Sequence, residues 1–318
     1  MNQVSPNIDG SIKMLHDLLS DSIKIRCSGY SKSCMHCQTD CSHSKISLLF
    51  SGGLDSSVIA VMMDNFLPKE DQIDLLNVSF QKSRNVDDDF MSADRMTGLK
   101  SYEIIKNLRP KRKFNFVAVN VTVEELMNFK NSKKFSILSG QKNTVLDQSL
   151  ALSIWFAARG SGFSLTLGKD YKSPAKIVLT GIGADELMGG YSRHRRAYEK
   201  NRSYLDVEEE LLFDLNRIGE RNMMRDDIMI SDHGKEGRYP FLDEKLVEFL
   251  INLDVKKRMN FELEPGKGDK KILRDMSAIY LGLDSGPSWF VKKAMQFGSQ
   301  IAKVNELNPG KKKGHQIS

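Results

Sequence analysis

The sequence predicts an α/β fold, namely a mostly parallel sheet with flanking helices, followed by a helical C-terminal half. Short apolar runs alternate with longer segments of helical periodicity, which is typical of βαβ units and a parallel sheet. After about residue 200 the strand pattern stops, and apolar residues recur at helical spacing, as in Leu246, Phe249 and Leu250. Glycine-rich loops follow two of the apolar runs, where an open parallel sheet has its ligand crevice.

The strands come from apolar, β-branched runs of four to eight residues, and the helices from apolar residues on one helical face. The last helix of the first half is ended by Gly160. The predicted strands are 46–50, 73–80, 114–121 and 177–180, and the predicted helices of the first half are 57–66, 93–107 and 146–159.

We divide the chain into four parts. Residues 1–45 are polar and hold all four cysteines, so we expect a leader or linker there. Residues 46–200 are the α/β core, residues 201–300 the helical part, and residues 301–318 a basic tail.

Composition narrows the function classes. The chain has 318 residues, of which 40% are hydrophobic and 28% charged, near ordinary globular values. It contains no apolar run of membrane-spanning length and no secretory signal, so we expect a cytoplasmic protein without membrane partners. The net charge of +6 suits an anionic substrate. Nucleic acid is a less favoured partner, because the basic stretches lack interleaved aromatics.

Residues 51–57, SGGLDSS, form the first loop that carries chemistry. Paired glycines allow a sharp turn that presents backbone N–H groups to phosphate oxygens, and a helix N-terminus follows at once. The loop is neither GxxxxGK[ST] nor GxGxxG. Asp55 distinguishes it, since a carboxylate beside a phosphate is favourable when Mg²⁺ lies between them. The predicted nucleotide-binding residues of this loop are Ser51, Gly52, Gly53, Asp55 and Ser56.

The second loop, residues 181–191 with the sequence GIGADELMGGY, follows the strand 177–180. Strand ends of a parallel sheet share one edge, so both loops are expected to face one nucleotide, with Asp55 and Asp185 sharing Mg²⁺. A glycine turn with a solvated aspartate is the alternative interpretation for either loop alone.

The first loop resembles that of the PP-loop ATP pyrophosphatases, which cleave ATP between its α and β phosphates. The second resembles the SGEGADE...GGY stretch of the asparagine synthetase family. Over about residues 45–300, further segments resemble that family's motifs in the same order: Arg225 with Asp227 its RxD, residues 233–243 its HGxExRxPFLD, residues 271–274 its KxILR, and residues 296–298 a late glutamine-phenylalanine segment.

The resemblance implies ATP-dependent, AMP-forming amide synthesis, in which aspartate becomes β-aspartyl-AMP and is then amidated. It implies a catalytic role for Asp185 and for a late lysine, Lys292 or Lys293. It also implies the placement of other residues: Phe50 and Val78 at the adenine through their backbones, Thr180 and Gly181 near the ribose, and Asp147, Arg225 and Asp227 on the amino-acid side.

The sequence departs from the family at two places. Residue 2 is Asn2 rather than the cysteine nucleophile of the family's glutaminase, so we expect ammonia from solution or from a partner. Ile182 stands where the family has a glutamate implicated in adenylate formation and ammonia capture. Loss of a positioned acid or base costs about 10²–10⁴ in rate. Two alternatives therefore stay open: a catalytically weakened nucleotide-binding or interaction module, and a PP-loop enzyme that modifies RNA.

The cysteines are confined to fifteen residues of the N-terminal segment, with His43 just beyond them. Close cysteine spacing in a cytosolic chain more often indicates metal than disulfides. Zinc, an iron–sulfur cluster and unligated thiols all stay open. The candidate zinc ligands are Cys27, Cys34, Cys37 and Cys41.

Overall fold

The computed structural model of the chain describes residues 9–82, 90–140, 144–284, 298, 299 and 301. Within these residues one seven-stranded sheet is flanked by helices on both faces, which confirms the predicted fold class. The strand order is β5-β4-β3-β2-β1-β6-β7. The strands are β1 Ile46–Leu49, β2 Ile73–Phe80, β3 Phe114–Val121, β4 Ser161–Ser164, β5 Lys169–Lys172, β6 Ile177–Leu179 and β7 Glu236–Arg238.

The four strands that the sequence predicts form the parallel centre of this sheet, and β7 extends it in parallel beside β6. Burial on both faces explains their continuous apolar runs: Ile73 and Leu75 pack on one side of the sheet, and Leu76 and Val78 pack on the other.

The helices connect and cover the strands. A π-helical turn at Gly219–Met223 and a 3-10 turn at Pro240–Leu242 interrupt the helical second half. The α-helices are α1 Gly10–Arg26, α2 Leu54–Met63, α3 Ala93–Leu108, α4 Val123–Lys130, α5 Lys133–Ser139, α6 Val145–Arg159, α7 Ala184–Met188, α8 Ser192–Asn201, α9 Tyr204–Ile218, α10 Met224–Ser231, α11 Glu244–Asn252, α12 Val255–Arg258 and α13 Lys271–Leu281.

The structure differs from the sequence-based description at the sheet edges. β4 and β5 form an antiparallel hairpin beside β3, and their short polar sequences carry little apolar pattern. β7 is three residues long and lies within the half expected to be helical only. Its pairing with β6 supplies the strand. Tertiary pairing thus overrides a weak local signal at both edges.

The N-terminal segment also differs from the expected leader or linker. Residues Gly10–Arg26 form α1, whose Leu15, Leu19 and Ile23 are fully buried against the sheet-side core. α1 packs on α11 and α13, and the Ser22 hydroxyl donates to the Pro240 carbonyl at 2.6 Å. α1 is therefore part of the folded core, whereas the division of the chain into four parts stays a prediction.

No helix within the described residues is both long and apolar enough to cross a membrane.

Candidate functional site

The central crevice lies where the chain order of the strands reverses. β2 lies on one side of β1 and β6 on the other, so the loops after β1 and β6 meet at the carboxyl edge of the sheet. Ligands of open parallel sheets bind at this switch point. A cavity of about 240 Å³ occupies it and is lined by both loops.

The loop after β1 is held by close backbone packing. Gly52 has a φ of +77°, and a Cβ there would fall 2.5 Å from the Cα of Gly98 on α3. The Ser101 hydroxyl also donates to the Gly52 carbonyl at 2.6 Å. A side chain at Gly52 would therefore displace the loop from α3.

Asp55 belongs to the first turn of α2 and not to the loop before it, because the helix begins at Leu54 rather than at the predicted residue 57. Leu54, Asp55 and Ser56 of that turn line the cavity, and the first N–H groups of a helix have no partner within it, which favours an anion there. Asp55 touches the second loop, since a Cβ on Gly181 would lie 3.0 Å from the Asp55 Cβ.

The loop after β6 is fixed by Glu186. Its carboxylate accepts hydrogen bonds from the Gly183 N–H at 3.1 Å, the Tyr191 hydroxyl at 2.7 Å and the Asn222 amide at 2.7 Å. Burial, together with the adjacent Glu186 carboxylate, raises the pKa of Tyr191 well above its usual value, so this hydroxyl remains a donor. Asn222 belongs to the π-helical turn, so its hydrogen bond to Glu186 brings that turn beside the second loop.

Asp185 is packed against glycine. A Cβ on Gly190 would overlap the Asp185 Oδ1 atom at 1.7 Å, so only glycine fits beside this carboxylate. The two loops thereby bring Asp55 and Asp185 to the same point from different strands, as the sequence predicts.

Lys270 joins the two aspartates. Its Nζ lies 2.7 and 2.6 Å from the Asp55 carboxylate oxygens and 2.7 Å from Asp185 Oδ1. The lysine is 3% exposed, and its backbone adopts the left-handed region with a φ of +52° just before α13. The backbone N–H of Lys270 donates to the Met188 carbonyl at 3.0 Å. This conformation aims the side chain into the crevice.

Sequence reasoning missed Lys270 because it assigned the first lysine of the KxILR element to Lys271. In the structure Lys271 forms a surface pair with Asp275 at 2.5 Å, and Lys270 is the lysine four residues before Arg274. Counting the element as K-K-I-L-R from residue 270 would have found it.

The donor set fits Mg²⁺. Six acidic and two basic side chains line the cavity among the described residues. Arg274 pairs with Asp269 and Arg225 with Asp226, which leaves Lys270 as the cationic group beside Asp55 and Asp185. Two carboxylates that converge on one cationic position supply the hard oxygen ligands that Mg²⁺ prefers. The remaining negative charge disfavours a polyphosphate without such a cation.

Most residues that the sequence assigns to the nucleotide line this cavity, but Gly52 does not, because it is packed against α3. The Phe50 backbone already has partners: its N–H donates to Leu76 and its carbonyl accepts from Asn77, both at 2.8 Å. The predicted residues that line the cavity are Phe50, Ser51, Gly53, Asp55, Ser56, Val78, Thr180, Gly181 and Asp185.

The predicted amino-acid residues are placed differently. Asp226, and neither Arg225 nor Asp227, lines the cavity, and Asp227 is exposed. Successive residues of α10 point to different sides of the helix, so Asp226 faces this cavity while the role of Asp227 on the amino-acid side stays a prediction. Arg225 binds Asp226 at 2.7 Å and lies 3.7 Å from Asp147. Arg225 and Asp147 line a second cavity of about 350 Å³ between α5, α6 and α10.

Ile182 lines the central cavity, and its N–H donates to the Thr180 hydroxyl at 3.4 Å. Lys292 and Lys293 fall outside the described residues, so their assignment stays a prediction. Ser299, which the structure does describe, contacts the end of β2, because the Phe80 N–H donates to the Ser299 carbonyl at 3.1 Å.

The cysteines separate into two environments. Cys34, Cys37 and Cys41 form a group with His43, in which the ligand atoms lie within 4.8 Å of one another. Cys27 is instead buried in the main core, where burial raises the pKa of its thiol to about 12. Cys27 as a ligand of this group was therefore wrong, since it ends α1 and packs with apolar side chains.

Comparison with known proteins agrees with the motif resemblance. The family model for asparagine synthase matches residues 155–206 and 199–282. The chain is 38% identical over 304 residues to asparagine synthetase domain-containing protein 1 of Mus musculus, covering 85% of this chain and 48% of that protein. It is 41% identical over 300 residues to the Gallus gallus protein of the same name, covering 83% and 46%.

The resemblance to the asparagine synthetase family is thus confirmed, and the chain spans about half the length of the curated relatives it matches. Among solved structures, the U34-tRNA thiolase NcsA from Methanococcus maripaludis, with its 4Fe-4S cluster, is a weak likeness. It is 10% identical with a TM-score of 0.30, and the match covers 96% of this chain and 83% of that one.

Proposed function

We propose, from a similarity to the asparagine synthetase family that extends over most of the chain, that this protein uses Mg-ATP for AMP-forming amide synthesis. A carboxylate, by analogy the β-carboxylate of aspartate, attacks the α-phosphate. The bond between the α and β phosphates breaks, and pyrophosphate leaves. Ammonia then attacks the acyl carbon of the adenylate, the amide forms and AMP leaves.

One observation carries the proposal: Asp55 and Asp185, which follow different strands, both contact the Lys270 ammonium, at 2.6 and 2.7 Å respectively. Two carboxylates this close together at a helix N-terminus repel a phosphate by itself, but they can bind a phosphate together with Mg²⁺. When bound, Mg²⁺ neutralises charge on the departing pyrophosphate.

The chain's own residues supply the remaining chemistry. The N–H groups of the first turn of α2 bind phosphate oxygens. Lys270, already placed between the loops, stabilises negative charge that develops on the phosphates. Arg274 lines the cavity and is oriented by Asp269 through its Nε–H donation to the Asp269 carbonyl at 2.7 Å. Lys270 and Arg274 are the two basic side chains among the described residues that line the crevice.

The weakened-module alternative has one specific observation in its favour. Ile182 lines the same cavity at the position where family resemblance expects a glutamate. An isoleucine neither accepts a proton nor binds ammonium, so ATP binding and turnover are expected to separate if that glutamate is essential.

The experiment is ATP–pyrophosphate exchange screened over the common amino acids. Synthesis predicts exchange that requires Mg²⁺ and one small acidic amino acid, with Asp55→Asn inactive and Lys271→Ala unchanged. Mg-ATP binding without exchange for any amino acid would favour the nucleotide-binding module.

Ile182→Glu tests the departure directly. If the amino-acid pocket is otherwise intact, restoring the carboxylate raises aspartate-dependent exchange. A glutamate at this half-buried position without partners would instead lower the free energy of unfolding, so the melting temperature is measured beside activity. A stable variant that binds ATP and shows no exchange with aspartate would exclude asparagine synthesis as the activity of this site.

A further inference from the structure

A second group of chemically active side chains lies in the segment between α1 and β1. Residues 27–45, all of them described, contain neither a helix nor a strand. Loops of this length without secondary structure are uncommon unless something else orders them. Cys34 is nevertheless buried, and Cys37 and Cys41 are half-buried. An ordering agent other than an apolar core is therefore needed.

The group's geometry matches a tetrahedral metal site. His43 Nδ1 lies 3.4 Å from the Cys37 sulfur and 3.7 Å from the Cys34 sulfur. Sulfur at about 2.3 Å and nitrogen at about 2.1 Å from a tetrahedral Zn²⁺ are about 3.6 Å apart. The Cys34 backbone N–H also donates to the Cys41 sulfur at 3.4 Å, the kind of support that a ligating thiolate receives.

The group lies at the amino edge of the sheet, opposite the nucleotide cavity. The Met35 N–H donates to the Pro174 carbonyl before β6 at 3.0 Å. The Gln72 N–H before β2 donates to the Ser42 carbonyl at 3.2 Å. Lys45, just before β1, contacts the Cys41 carbonyl and binds Asp71 at 2.6 Å. The segment thus contacts the starts of three neighbouring strands and takes no part in the crevice.

We propose that Cys34, Cys37, Cys41 and His43 bind one Zn²⁺ in a closed structural site that fixes the α1–β1 connection to the amino edge of the sheet. Four protein ligands leave no open coordination position, which is the arrangement of structural rather than catalytic zinc. α1, which precedes this segment, packs on α13.

The test is elemental analysis of the full chain purified without chelator, together with thermal unfolding. The wild type is expected to carry about one zinc per chain. Cys37→Ser and His43→Gln each remove one ligand, and changes in the ligand surroundings alone already cost about 10- to 100-fold in metal affinity. Both variants are therefore expected to lose zinc during purification and to melt at a lower temperature.

Cys27→Ala is the matched control, because Cys27 lies outside the group. This variant should retain its zinc. If a ligand variant does not fold, chelation of the wild type replaces it: zinc removal should lower the melting temperature and make three further thiols reactive to alkylation. Absence of zinc, zinc retained in both ligand variants, or iron with acid-labile sulfide would each overturn the proposal.

Discussion

The two edges of the central sheet hold different kinds of polar groups. At the carboxyl edge, Asp55, Asp185 and Lys270 come from segments far apart in sequence and meet beside an open cavity of about 240 Å³. At the amino edge, three cysteines and His43 come from ten consecutive residues and form a closed group. An open site leaves room for a ligand, whereas a closed one fills its own coordination positions.

The two sites depend on the fold in different ways. The carboxyl-edge groups lie together only when the sheet and α13 are in place. The amino-edge ligands are neighbours in the chain, and a metal can order them locally. We therefore expect substitutions at the first edge to change both stability and binding in the crevice, and those at the second to change zinc content and stability without changing binding in the crevice.

The largest expected effect is that of Lys270→Ala. Removal of the ammonium leaves two aspartates, 10% and 18% exposed in their side chains, without their cation. Breaking a buried ion pair by removing one partner costs about 3–5 kcal/mol. Chemical unfolding measures this loss, and added Mg²⁺ should restore part of it because the two carboxylates can then share the metal.

Lys271→Ala is the matched control, since its pair with Asp275 is on the surface and should change the free energy of unfolding by less than about 1 kcal/mol. Equal effects of the two lysine variants would contradict the assignment of Lys270 to the crevice.

A smaller effect on the free energy of unfolding is expected for α1, the helix that precedes the cysteine segment. Leu19 is fully buried in the main core, so Leu19→Ala should destabilise the protein by about 2–5 kcal/mol. Ile25, on the same helix, is 61% exposed, and Ile25→Ala should stay within about 0.5 kcal/mol. Near-neutral behaviour of both would show that α1 is dispensable, as a leader would be.

The smallest effect concerns pH at the amino edge. Burial lowers the pKa of His233 to about 4, against an ordinary value of 6.5, while its Nε2–H donates to the Trp155 carbonyl at 2.8 Å. The folded state thus binds the proton less readily than the unfolded chain. Stability from this group is fully present above pH 6.5 and is lost as the pH falls toward 4.

Because His233 is only partly buried, we expect a loss of about 1 kcal/mol between pH 7 and pH 5. Unfolding at both pH values measures it, and His233→Gln should remove this part of the slope while leaving any contribution of the cysteine group. A slope that is identical in the variant would reject the role of His233.

Much of the fold was predictable because its centre is encoded locally. The predicted bounds of β2 and β3 agree with the structure, and those of β1 and β6 differ by one residue. These strands are buried on both faces, which leaves continuous apolar runs in the sequence. The β4–β5 hairpin and β7 have no such runs and depend on their neighbours. The spacing of Leu15, Leu19 and Ile23 is typical of a helix with one apolar face and could have predicted α1. The polar residues around them obscured this pattern.

The parts of the site that follow from the strand order were predictable, whereas those that depend on the direction of a single side chain were not. The strand-end rule brought Asp55 and Asp185 together. That Asp226 rather than Asp227 lines the cavity could not be predicted, because it depends on how α10 is rotated against the sheet. Likewise, the left-handed backbone of Lys270 directs its side chain into the crevice, and lysine gives no sequence signal of that conformation.

In this account the two carboxylates at the carboxyl edge hold Mg-ATP. Calorimetric titration of ATP, with and without Mg²⁺, into the wild type, Asp55→Asn and Asp185→Asn, each shown to be folded, tests this binding. A charged contact is worth about 1.5–3 kcal/mol, so each variant should bind Mg-ATP about 10- to 100-fold more weakly, and the wild type should lose most affinity without Mg²⁺. Unchanged Mg-ATP affinity in both folded variants would contradict the account.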